Sequence, residues 1–143
     1  MLTIAILAAA ATPHVVATFR DADATRLGIV AELIEKPTDS DGPSYAQTLL
    51  EAEGLTSWNP SEPTVTSRPE APLAYSARTA GDGREVLVYY SAAPSGPARV
   101  CRMRGKSMGM SDARYRALRW CAASLGVTLP EKPPAPVAGR NGA

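Results

Sequence analysis

The chain is 143 residues long, carries a formal net charge of +1 at pH 7 and is 45% hydrophobic, with a single Phe and much of the apolar count in alanine. That is one domain's worth of residues around a core of small side chains, each burying little area, so modest stability is expected. One histidine and two cysteines leave few parts for imidazole or metal chemistry.

Leu2 to Ala11 form an uncharged apolar run. It is long enough for the hydrophobic region of an export signal and too short for a membrane span. Two small-residue cleavage patterns follow, Ala9-Ala10-Ala11 and Val15-Val16-Ala17, the second after the helix-breaking Pro13. The run lacks a preceding Lys or Arg and has only the terminal amine. The expectation is a signal peptide over 1–17 and a single domain over 18–128. A buried N-terminal strand or helix in a cytosolic protein is the alternative. Cleavage after Ala17 would remove His14, the only imidazole. With no cysteine near either pattern, a lipoprotein is not expected. No later segment is apolar enough to cross a bilayer.

Asp23 to Glu35 places Leu27, Val30, Ala31 and Ile34 at helical spacing, with Asp21 or Asp23 as the cap and Lys36-Pro37 as the stop. After the turn cluster Thr38 to Pro43, Ser44 opens a second helix, with Tyr45, Leu49 and Ala52 on one face and Gly54 as the stop. Thr56 to Pro72 holds four prolines and reads as a long loop, with Trp58 as a packing anchor.

Leu73–Arg78 and Arg84–Ser91 flank a Gly-Asp-Gly turn, the best hairpin signal in the chain. Val86, Val88 and Tyr90 would face one side, Leu87 and Tyr89 the other. Ser91 to Pro97 is a turn, and Ala98 to Arg104 a third strand. On it Arg99, Cys101 and Met103 face one way and Val100, Arg102 and Arg104 the other. Ser111 caps a helix running to Leu125, with Gly126 as its stop. Ala117, Leu118, Cys121 and Leu125 would be buried, and Asp112, Arg116 and Arg119 would share the opposite face. Residues 129–143 form a Pro-rich tail expected to be disordered.

Cys101 and Cys121 thus point into the same layer, and behind an export-like N-terminus they are expected to form a disulfide. Charge is unevenly placed. Twelve acids face six bases between Thr18 and Tyr90, while Ser95 to Trp120 carries seven bases and only Asp112. The halves can neutralise each other, or Arg102, Arg104, Arg116, Arg119 and Trp120 can form a basic face for an anionic partner.

Gly105-Lys106-Ser107 resembles the end of a phosphate loop, but Val100 stands where the first Gly is required. Asp39-Ser40-Asp41-Gly42 resembles part of a calcium loop, but the first and last ligand positions fall on Pro37 and Thr48. Glu51 and Glu53, two apart on a helix, do not face each other. No metal, cofactor or catalytic residue is therefore expected.

The reading is an α+β domain: two N-terminal helices, a three-stranded antiparallel meander and a C-terminal helix on the sheet. The expected function is that of a periplasmic or secreted, non-enzymatic binding or accessory protein, meeting an acidic protein or anionic envelope component. The alternative is a small cytoplasmic nucleic-acid-binding protein using the basic half.

Overall fold

The helix expected over Asp23–Glu35 is interrupted at Gly28, and the rest of the architecture follows from that break. In the computed structural model, which describes residues 12–54, 73–91, 98–106 and 111–131, helix α1 covers only Ala22–Arg26. Asp21 caps it, accepting from the Ala24 N–H at 2.9 Å. Gly28 adopts φ 75°, a left-handed conformation that costs glycine little. The chain then leaves as strand β2, Val30–Glu35.

Both halves of this correction have a physical cause. Val30 and Ile34 are β-branched and suit a strand. A strand buried on both faces has no period of two, so its apolar positions also satisfied helical spacing. A second correction concerns Val15–Ala17, the last residues of the expected leader, which continue into Thr18. These residues form strand β1 and pair antiparallel with β2.

Helix α2 spans Gly42–Ala52. Asp41 caps it and Gly54 follows with φ 69°. It buries Ala46, Leu49 and Leu50, while Ala52 is exposed and Tyr45 half-buried. Strands β3 (Leu73–Thr79) and β4 (Arg84–Ser91) form the expected hairpin, and strand β5 (Arg99–Lys106) pairs with β4. Helix α3 runs Asp112–Ser124, capped by Ser111 and followed by Gly126 at φ 89°.

The expected meander β3–β4–β5 is therefore present but is part of a larger sheet. All five strands make one sheet in the order β1-β2-β5-β4-β3, with every pairing antiparallel. Of the two N-terminal helices of the sequence reading, the second is α2, while the first is divided into α1 and β2, with β1 added before it.

Side chains of the sheet divide by parity into two cores. Ala31, Leu33, Leu87, Tyr89, Cys101 and Met103 face α3 and α1. Ile34, Val86, Val88, Tyr90 and Val100 face α2. Small residues let the helices sit close. Ala113, Ala117, Cys121 and Ala122 line the buried side of α3. At the start of α2, a Cβ on Gly42 would lie 3.1 Å from the Tyr90 ring, so the helix approaches the sheet there without a side chain between.

The loop reading of 56–72 with Trp58, the turn over 92–97 and Ser107 lie outside the described residues, as do 1–11 and 132–143. The first tail residues are held to the domain. Val127 is buried, Leu129 packs on the α3-side core, and Tyr115 donates its hydroxyl to the Pro130 carbonyl at 2.9 Å. Among the described residues no helix is long and apolar enough to cross a membrane.

Candidate functional site

Cys101 on β5 and Cys121 on α3 are bonded, with Cα atoms 5.6 Å apart and both side chains fully buried. The bond joins the sheet centre to α3, the pairing expected from their inward positions.

The five residues expected to form one basic face do not form one. Arg102 and Arg104 alternate with Cys101 and Met103 on β5, so they project toward α2, away from α3. Arg116 lies on α3. It donates from Nε and Nη2 to the Asp21 carboxylate at 3.0 Å each, and from Nη2 to Asp23 at 3.3 Å. Arg116, first, and the Ala24 N–H hold the Asp21 carboxyl below its usual range, and the bonds from Asp21, first, and Asp23 raise the Arg116 guanidinium. Arg119 is half-buried on α3, its Nε enclosed without a hydrogen-bond partner among the described residues. Trp120 packs on Phe19 with ring centroids 5.7 Å apart. Strand alternation and α3 send these side chains to opposite layers of the sheet.

Arg102 and Arg104 instead belong to a four-charge network. Glu32, directly across from Arg102 on β2, accepts from Arg102 Nη2 at 2.9 Å and from Arg104 Nη2 at 3.1 Å through one oxygen. Glu53, at the end of α2, lies 3.6 Å from Nη1 of each arginine. The Arg102 side chain is 10% exposed, both glutamates 16% and Arg104 38%. The network is balanced in charge and mostly withdrawn from water. Burying it is tolerable because each charge is paired.

Beyond this network no described element covers the α2-facing side of the sheet. Val86, Val88 and Tyr90 lie under α2, and the helix ends at Ala52. Past that end, Arg84 on β4, Arg104 and Lys106 on β5 and Val30 on β2 line a groove of about 440 Å³, closed on one side by Glu53. The register puts Arg84 across from Lys106 and Val86 across from Arg104, so the cations occupy neighbouring positions on one face. Arg84 pairs with Asp82 at 3.0 Å. The Arg84 N–H, first, and its guanidinium keep the Asp82 carboxyl below its usual range. Lys106 is exposed and makes no ion pair among the described residues. The floor is partly apolar, with Val30 39% exposed.

The groove can therefore take an anionic group beside a small apolar one. Sequence reasoning reached Arg102 and Arg104 and missed Arg84 and Lys106. The same strand alternation, continued two residues along β5 and carried across the hairpin, would have found both.

A second, smaller cleft surrounds His14, Glu35, Lys36 and Tyr45. His14 Nδ1 lies 2.8 Å from Glu35 Oε1, both exposed. Among the described residues no three His, Cys, Asp or Glu side chains are grouped to hold a metal ion. No family model, curated protein or solved structure matches the chain.

Proposed function

We propose that this is an exported, non-enzymatic binding or accessory protein that holds an anionic segment of a partner in the groove at the open end of the α2-facing sheet. The observation that carries this reading is Lys106, an exposed ammonium without an ion-pair partner among the described residues, beside the half-exposed guanidinium of Arg104. Both sit at an end of the sheet that no described helix covers. A carboxylate entering there would meet Lys106, Arg84 and the outer edge of Arg104, with Val30 and Val86 beneath it. The partner is an acidic peptide segment with an apolar side chain near its carboxylates. Exposed cations of this kind steer encounter more than they fix affinity. The buried disulfide supports an oxidising compartment, periplasmic or secreted.

The nucleic-acid alternative gains little from the geometry. Arg102 and Arg104 are split from Arg116 and Arg119 by the sheet, and three of the four are ion-paired. A backbone-tracking surface needs a continuous run of free cations.

The test uses two fluorescent probes on the full-length protein, an oligo-glutamate peptide with interspersed leucines and a single-stranded DNA of equal charge. The expected result is salt-sensitive binding of the peptide, weakened at least tenfold by Lys106→Glu with Arg84→Glu and unchanged by Arg26→Glu on α1. Preference for DNA, or peptide binding indifferent to the groove substitutions, would overturn the reading. Fractionation of the native cell tests the compartment separately.

A further inference from the structure

We infer that the Glu53 carboxylate stands in for a partner's carboxylate, filling the inner end of the groove until an acidic segment displaces it from Arg102 and Arg104. This rests on the groove reading above and adds the regulation of that site, a self-blocking contact that the partner relieves.

The two glutamates of the network are not held alike. Glu32 lies directly across from Arg102 on β2. It accepts from Arg102 Nε and Nη2 at 3.3 and 2.9 Å, and from Arg104 Nη2 at 3.1 Å. Glu53 caps the C-terminus of α2. One of its oxygens, Oε2, lies 3.6 Å from Nη1 of each arginine, an ion contact beyond hydrogen-bond range. Its backbone is tied down, with the N–H donating to the Leu50 carbonyl at 3.1 Å. The carboxylate can therefore leave by side-chain rotation while the helix end stays in place.

The placement of Glu53 makes that rotation consequential. Glu53 and Arg104 line the groove and Arg102 does not, although Arg102 Nη1 is 3.6 Å from the Glu53 carboxylate. Moving that carboxylate aside extends the groove to Arg102. An incoming carboxylate can approach both Nη1 groups to the length of a charge-assisted hydrogen bond, about 2.7–2.9 Å, which Glu53 does not reach. The exchange also conserves charge, with two guanidiniums facing two carboxylates before and after, so neither arginine is left withdrawn from water and unpaired. A neutral or cationic segment offers no such exchange, because turning Glu53 out for it strands a positive charge. Glu53 thus sets specificity by penalising the wrong partner.

The experiment measures binding of the fluorescent oligo-glutamate peptide with interspersed leucines to the full-length protein, and the melting temperature with and without that peptide. The native protein is compared with Glu53→Gln, Glu53→Asp and Glu51→Gln. Glu51 is exposed on the same helix, so its loss changes net charge equally without opening the groove. Glu53→Gln is expected to bind about tenfold tighter, and Glu51→Gln to stay within about twofold of the native protein. Glu53→Asp keeps the charge but withdraws it by one methylene, and should fall between Glu53→Gln and native. Without peptide Glu53→Gln should melt lower than the native protein, and the peptide should raise its melting temperature by more. Equal affinities for native and Glu53→Gln, or equal tightening in Glu51→Gln, overturn the inference, and the groove reading stands if binding still falls with Lys106→Glu and Arg84→Glu. Failure of both the native protein and Glu53→Gln to bind the peptide overturns the groove reading and the inference with it.

Discussion

Replacing both cysteines with alanine should cost this domain a large part of its stability, and the size follows from where the bond sits. Cys101 and Cys121 are 20 residues apart. In the chain-entropy account, a cross-link closing about 20 residues restricts the unfolded ensemble by roughly 3 kcal/mol. Both side chains are fully buried, so the alanines also leave two sulfur-sized gaps, which add about 1 kcal/mol. The two contributions separate by experiment. Reducing the unsubstituted protein removes the constraint and keeps the sulfurs, while Cys101→Ala with Cys121→Ala removes both. Urea unfolding followed by circular dichroism reads each. With an m-value of about 1–2 kcal/mol per molar, reduction should lower the midpoint by about 2 M and the double substitution by somewhat more. Equal midpoints for oxidised and reduced protein would refute the reasoning, because a constraint that acts on the unfolded chain vanishes with the bond whatever the packing.

Glu32→Ala should destabilise by about 3 kcal/mol by leaving buried Arg102 short of its acceptor, while Arg26→Ala, in an exposed pair, should change stability by less than about 0.5 kcal/mol; equal midpoints for the two would show the network to be surface charge. Asp21 is depressed below 3.8 mainly by Arg116, so its contribution is present above pH 3.8 and is lost as pH falls through the lower folded-state value. Asp21→Asn should flatten the acid side of a stability–pH curve there, and an unchanged slope would count against the pair. Burial pushes the Tyr89 phenol from 10.0 up to about 12, so stability is complete below pH 10 and falls by about 2–3 kcal/mol as pH rises to about 12. Tyr89→Phe should remove that alkaline loss, read by tyrosinate absorbance against unfolding.

The parts legible in the sequence carried strong local chemistry. Gly81-Asp82-Gly83 and the alternation on either side placed the β3–β4 hairpin, with Thr79 across from Glu85. Ser111 and Gly126 bounded α3 nearly to the residue, and inward parity brought Cys101 to Cys121. Long-range pairing was what the sequence hid. Ile34 and Leu33 are buried on opposite faces because β2 lies between β1 and β5, and that position erases the alternation that marks a strand. Val15–Ala17 doubled as a cleavage pattern, and their role as a strand depends on β2 being one. At the groove, Arg102 and Arg104 were visible from β5 alone. Glu32 and Glu53, which neutralise them, come from β2 and α2, and only the tertiary structure puts them there.

The place of β2 beside β5 also sets the order in which the protein can come together. Residues paired across that boundary are far apart along the chain: Glu35 meets Arg99, 64 positions later, and Val30 meets Arg104, 74 positions later. The β3–β4–β5 ladder and the disulfide to α3 close over much shorter spans, and closing long loops is the slower event. On the ribosome, β1, α1, β2 and α2 emerge first, with Leu33 and Ile34 lacking the neighbour that will cover their ladder. Residues 12–54 have no finished core to settle into, and commitment waits until β5 is out. Burial of both faces of β2 is therefore among the last events of folding.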